Sequence, residues 1–191
     1  MAVGANFKMD TKIYREINPL DKRNVVDQYK GLTNEEIKKK NQENSLPVSI
    51  LMMNIIGDFN FATIIRNANA IGARHIYYFG NKKFDRRGCV GAYHYIDITH
   101  LKSIGDLWNL KNKYSFVALE QTKSSIDLAS FKWNTNKTPL ILVGEEGCGL
   151  DQDIVDMCEV AIEIKQRGSV RSLNAATAAS IAMFDYASKK G

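Results

Sequence analysis

A chain of 191 residues, 45% hydrophobic and 25% charged, is long enough for one globular domain with a sizeable core and too short for two ordinary ones. Its net charge of +5 favours a polyanionic partner without naming one. Cys89, Cys148 and Cys158 form no C-x-x-C pair, and no two of His75, His94 and His100 flank a carboxylate on a helical face. Reduced thiols in an intracellular protein are therefore expected, and no metal site. No N-terminal run is apolar and long enough for a signal peptide or a membrane span, so the expected compartment is the cytoplasm, with no membrane contact.

Residues 1–45 are polar and of mixed charge, and are expected to form a short, partly helical extension. Thr33 followed by Glu36 is a capping-box pattern that starts a helix over "NEEIKKKNQ", whose lysines read as a solvated face. From residue 46 the texture changes to a second unit, 46–191. "PVSILMMN" has the length and apolar continuity of a buried strand. In "FATIIRNANAIG", Phe61, Ile64, Ile65, Ala68 and Ile71 fall on one helical face, and Gly72 marks the end. "RHIYYFG" is the next strand, "SIGDLWNLKNK" a helix, "YSFVALEQ" a strand and "PLILVGEEG" a strand entering a glycine turn. "LDQDIVDMC" reads as a helix, "EVAIEIKQ" as a strand, and "GSVRSLNAATAASIAMFDY" as a turn leading into the last helix. This alternation predicts an α/β fold, a largely parallel sheet with helices on both faces. Ligands of such sheets sit beyond the carboxyl ends of the strands, which points to the loops after Asn54, Val143 and Ile164.

Three segments there carry unusual residues. In "GDFNFATIIRNA", Asn60 can be a helix N-cap and Arg66 can snorkel from a helix flank. Alternatively, Arg66 is a rigid donor for a phosphate or ribose oxygen. In "LILVGEEGCGLD", glycines follow a buried strand but not in G-x-G-x-x-G order, and Glu145 and Glu146 stand among them. Backbone amides that cradle a pyrophosphate do not tolerate that much negative charge, so a ligand without phosphate and with positive charge fits better. S-adenosylmethionine, with its sulfonium and ammonium groups, meets both conditions. In "IEIKQRGSVRSLNAA", Ser172 or Asn174 can cap the final helix and its alanines permit close packing, which leaves Arg167 and Arg171 unexplained.

Taken together, the segments resemble the three motifs of the SpoU/TrmH family, in the SPOUT class of RNA methyltransferases, over roughly residues 48–188. "NFATIIRNANAIGA" matches motif one, an asparagine, five residues and an arginine; "LVGEEGCGL" matches G-x-E-x-x-G-L; "IEIKQRGSVRSLNAA" matches a strand, a turn and S-L-N. Ala175 and Ala176 depart from the valine-serine type sequence common there. The resemblance implies an enzyme that uses S-adenosyl-L-methionine to 2′-O-methylate a ribose in structured RNA. It also implies an α/β (trefoil) knot and a homodimer.

Carried over by position, Arg66 corresponds to the catalytic arginine, Asn60 to its supporting asparagine, Glu146 to the motif-two glutamate, and Ser172 and Asn174 to the polar pair near the ribose. The backbone groups that hold the cofactor map to Gly144, Ile164 and Leu173, with Leu119, Glu120 and Gln121 on the adenine side. Contact with RNA is expected from Lys82, Lys83, Arg86, Arg87, Arg167 and Arg171, although "KKFDRRG" also reads as a solvated loop. Many relatives carry a folded N-terminal RNA-binding domain where this chain has its short extension. "ALEQTKSSIDL" is similar to members acting on tRNA guanosine, which favours tRNA over rRNA. Two other readings stay open: an RNA-binding protein of this fold without catalysis, and a base methyltransferase of the same class.

Overall fold

A computed structural model describes residues 20–53, 58–80, 85–133, 137–145 and 147–190. Seven strands form one sheet: β1 (Leu46–Met52), β2 (Ala73–Phe79), β3 (Asp97–Leu101), β4 (Tyr114–Leu119), β5 (Ile126–Asp127), β6 (Thr138–Val143) and β7 (Val160–Glu163). Their order is β3-β2-β1-β6-β4-β7-β5, and every pairing is parallel. All of β4 and most of β1 and β6 are buried, which is why these strands read as continuous apolar runs.

Among the described residues five α-helices accompany the sheet: α1 (Asn34–Glu43), α2 (Asp58–Ile71), α3 (Ile104–Leu110), α4 (Gln152–Asp156) and α5 (Ala175–Lys190). Alternation along β1 divides the core. Ile50 and Met52 face α2 and α5 through Phe61, Ile64, Ile65, Ala179 and Met183, whereas Leu51 faces Leu107 of α3 and Ile154 of α4. Helices α2 and α5 pack on one another through small residues, and Asn67 donates from Nδ2 to Ser180 Oγ at 2.8 Å across the contact. The far end of α5 is fixed by Tyr186, whose hydroxyl donates to Pro47 O at 3.1 Å, and by Asp185, which accepts from Trp133 Nε1 at 2.8 Å.

The capping box of α1 is formed: Thr33 accepts from the Glu36 amide and the Glu36 carboxylate accepts from the Thr33 amide. Ile37 is buried, Gln42 donates to Arg74 O and Asp97 Oδ2, and Lys38 pairs with Asp97, so α1 docks beside β2 and β3. Lys39 and Lys40 face solvent. Helix α2 ends at Gly72, whose φ of 91° an L side chain rarely adopts.

Two strands lack a sequence signal. β3 is a short edge strand of mixed polarity, "DITHL", and β5 is two residues long; neither has an apolar run. The α2 start also differs from expectation. Asn60 is the third residue of the helix and not its N-cap. Among the described residues no helix is long and apolar enough to cross a membrane, and no group of three or more His, Cys, Asp or Glu could hold a metal ion.

Candidate functional site

The carboxyl ends of three adjacent strands, β6, β4 and β7, open into a cleft of about 470 Å³, a size suited to a small molecule. Its walls come from three chain segments. Leu119 ends β4 and Glu120 and Gln121 follow it; Val143 ends β6 and Gly144, Glu145, Gly147, Cys148 and Gly149 follow; Glu163 ends β7, and Ile164, Gln166, Arg171, Ser172, Leu173, Ala175 and Ala178 lead from it into α5. All six residues expected to hold a cofactor therefore line one cleft. Of the loops expected to form the site, the one after Asn54 lies outside the described residues.

The glycine loop is shaped by steric necessity. A Cβ at Gly144 would overlap the backbone of Gly149 and Leu150, and one at Gly149 would meet the Glu120 carboxylate. Gly149 also has a φ of 72°. The loop closes on itself where the Gly149 amide donates to Glu145 O at 3.1 Å. Glu120 then latches it to β4: Oε2 accepts from the Leu150 amide at 2.8 Å while Oε1 accepts from the Gln121 amide at 2.9 Å. The carboxylate satisfies two backbone donors at once, a charge-assisted arrangement stronger than a neutral one.

The cleft is rich in acceptors. Among the described residues Glu120, Glu145 and Glu163 line it against one cation, Arg171, a balance that favours positive charge over phosphate. Leu119, Val143, Leu173, Ala175 and Ala178 supply apolar surface for a flat ring. The hydrogen bond to Glu145 raises the Cys148 thiol pKa, which disfavours its thiolate. Burial pushes the Cys89 thiol up to about 11 and the Cys158 thiol up to about 12.

The first and third motifs meet at their asparagines. Asn174 Nδ2 donates to Asn60 Oδ1 at 2.8 Å. Asn174 Oδ1 accepts from the Thr177 amide at 3.1 Å, so Asn174, and not Ser172, caps α5. Both ends of this amide are thus engaged within the protein, while Ser172 lines the cleft. Replacing Asn174 by alanine is expected to cost about 1 kcal/mol from the lost cap, read as a lower melting temperature. Asn60→Ala keeps the cap and should lower it less.

Arg66 is exposed on α2 and is not among the residues lining the cleft. Among the expected RNA contacts, Arg167 and Arg171 are exposed, and Gln121 Nε2 donates to Arg171 O at 3.4 Å. Arg86 stands over the Tyr93 ring at 5.0 Å, and Arg87 is paired with Asp85. Glu146, Lys82 and Lys83 lie outside the described residues.

The family model described as "SpoU rRNA Methylase family" matches residues 47–184, most of the chain. The chain belongs to the SpoU rRNA methylase family. Its SpoU relatives include a "tRNA (guanosine(18)-2'-O)-methyltransferase" of Aquifex aeolicus, 25% identical over 156 residues, which are 78% of this chain and 72% of that protein. They also include the "Putative TrmH family tRNA/rRNA methyltransferase YacO" of Bacillus subtilis, 25% identical over 80% of this chain and 63% of its own length. Among solved SpoU structures, the A. aeolicus TrmH/SpoU tRNA modifying enzyme superposes with a TM-score of 0.71 at 22% identity, covering 83% of this chain and 85% of that one. AviRb of Streptomyces viridochromogenes, solved in complex with AdoMet, gives 0.68 at 22% identity over 75% and 60% of the two chains.

Sequence reasoning missed the Glu120 latch within this SpoU fold. It placed Glu120 at the site but gave its carboxylate no partner. The available signal was a carboxylate at the end of one strand facing a glycine loop with unpaired amides after its neighbour. Glu163, Gln166 and Ala178 were also missed as lining residues: the first two lie within the third segment but outside its S-L-N signature, and Ala178 lies beyond it.

Proposed function

We propose that this chain is a cytoplasmic enzyme that transfers a methyl group from S-adenosylmethionine to the 2′-oxygen of a ribose in structured RNA, with tRNA preferred over rRNA. The observation that carries this reading is the acceptor-rich cleft behind the glycine loop. It has room for a small molecule, apolar walls for an adenine, and three carboxylates that attract a sulfonium and an ammonium. The names of the SpoU relatives and the segment "ALEQTKSSIDL" support ribose and tRNA.

When bound, S-adenosylmethionine supplies an electrophilic methyl carbon on a positively charged sulfur. The ribose 2′-oxygen forms the new C–O bond as the C–S bond breaks, with the electron pair left on sulfur and the hydroxyl proton passing to solvent. The chain's part is to bind and orient. Backbone groups at Gly144, Ile164 and Leu173 hold the cofactor, with Leu119, Glu120 and Gln121 against the adenine. Arg66 grips a phosphate and orients the hydroxyl. A guanidinium with a pKa above about 12 is a poor base, whereas positioning two reactants can lower a barrier by about 7–11 kcal/mol. Asn60 and Asn174 tie the Arg66 helix to the cofactor side, and Ser172 and Glu146 face the ribose. Lys82, Lys83, Arg86, Arg87, Arg167 and Arg171 meet RNA phosphates.

We further propose that the segments after β4, β6 and β7 form the trefoil knot of the family. The enzyme works as a homodimer through the apolar side chains that α2 and α5 leave exposed: Phe59, Ile181 and Phe184.

The test is to incubate the protein with methyl-labelled S-adenosylmethionine and separated tRNA and rRNA fractions, then digest the RNA to nucleosides. A 2′-O-methylated nucleoside from tRNA is the expected product. A base-methylated nucleoside replaces this reading with the base-methyltransferase one. RNA binding with no label transferred replaces it with a non-catalytic RNA-binding protein.

A further inference from the structure

Of the segment between β2 and β3 the methyl-transfer reading uses only the positive charges of Lys82, Lys83, Arg86 and Arg87, and leaves the ordered planes around Arg86 without a role. The Arg86 guanidinium lies 5.0 Å from the Tyr93 ring centroid, and the His94 ring lies 4.0 Å from Tyr93, tilted by 37°. Tyr93 is half-buried and packs against the core, whereas Arg86 and His94 are exposed. Three planar groups are thus gathered on one support, with two of them facing solvent.

The backbone brings them together by an unusual turn. Val90 and Gly91 are both left-handed, with φ of 48° and 85°. For a β-branched residue such as Val90 this conformation is an outlier, and strain of this kind collects at functional sites. The turn folds residue 86 back towards residues 93 and 94. Its inner side is pressed onto α2, where a Cβ built on Gly88 would come within 2.7 Å of Ala62 Cβ. Further along, Asn69 Nδ2 donates to Tyr95 O at 3.4 Å.

These two contacts place the array relative to Arg66. At 100° per residue, Ala62, Arg66 and Asn69 share one flank of α2. The 86–95 segment therefore runs along the flank from which Arg66 projects. We propose that Arg86, Tyr93 and His94 form a stacking platform for an unpaired nucleobase of the RNA, next to the nucleotide whose ribose Arg66 orients.

The chemistry fits. Sequence-tolerant RNA sites seat splayed-out bases on aromatic rings, histidine included, or on Arg guanidinium planes, beside groups that hold the backbone. A purely electrostatic surface needs no such ordered planes. This inference rests on the RNA-methyltransferase reading.

The experiment measures fluorescence anisotropy of a labelled ten-nucleotide oligoadenylate, with bulk tRNA as a second probe. Wild type is compared with His94→Ala, Arg86→Lys and the double variant over a range of salt. Arg86→Lys keeps the charge but loses the plane. The double variant is expected to bind roughly ten-fold more weakly than wild type, with the slope of affinity against salt unchanged. Calorimetric affinity for S-adenosylmethionine should be the same in all variants, which also reports an intact fold. Affinity within two-fold of wild type overturns the platform, as does a weakening accompanied by a shallower salt slope. Wild-type protein that binds neither RNA overturns the RNA reading together with the platform. Wild-type protein that binds RNA but methylates none overturns only the catalytic reading.

Discussion

Arg66→Ala is expected to lower methyl transfer by about a thousand-fold or more, and to leave affinity for S-adenosylmethionine within about two-fold of wild type. The first half follows from the proposed role. A guanidinium that holds phosphate and hydroxyl in line with the methyl carbon contributes through orientation and charge, and loss of one such donor typically costs about 10²–10³ in rate. Loss of the positioning it shares with the substrate phosphate adds to this. The second half follows from placement. Arg66 is exposed on α2 and absent from the cleft walls, so its removal leaves the cofactor's surroundings intact. Single-turnover rates and calorimetry on the same preparation separate the two effects. Lost cofactor binding would mean that Arg66 belongs to the cleft, and an unchanged rate would remove it from the reaction.

Gly144→Ala should act in the opposite sense. Its new methyl group would overlap the backbone of Gly149 and Leu150, and backbone cannot swing aside as a side chain can. The glycine loop must then shift away from β4 and break the bond between the Leu150 amide and Glu120. A buried donor left unpaired costs about 1–3 kcal/mol, and the cleft loses the wall from Gly144 to Gly149. S-adenosylmethionine affinity is expected to fall by at least about a hundred-fold, together with a lower melting temperature. RNA affinity should change far less. Cofactor affinity equal to wild type would show that the cofactor does not rest on this loop.

The central strands and the longer helices were legible in the sequence because each carries a local signal. Buried parallel strands such as β4 and β6 appear as unbroken apolar runs, and α2 shows helical spacing with a terminal glycine. β3 and β5 carry no such signal: they are edge elements held by pairing with β2 and β7, and pairing is not local information. The site divides in the same way. Gly144 and Ile164, directly after strands, and Leu173, just before α5, could be placed on the cleft because motifs mark them. The role of Asn174 could not, since whether it caps a helix, meets Asn60 or faces a ligand depends on the arrival of a segment 114 residues away. Glu120 was hidden for a related reason, because its partner Leu150 belongs to another strand's loop. The Arg86–Tyr93–His94 array depends on two successive left-handed residues, one a valine, which propensity would not assign to that conformation.

The bond between Asn60 and Asn174 also bears on how the molecule reaches its native state. It joins two helix starts 114 residues apart, and the Tyr186–Pro47 bond spans 139. With every strand pairing parallel, few native contacts form cheaply between neighbours in the chain, and loop closure must precede the contacts that stabilise it. The entropy of closing the chain therefore weighs most heavily on the contacts that bring α2 and the far end of α5 to the sheet. A refolding molecule can assemble single strands and helices while the two asparagines are still far apart. The cleft itself is joined over shorter spans, 30 residues from Glu120 to Leu150 and 50 from Gln121 to Arg171, whereas its link to the Arg66 helix needs the closure of 114.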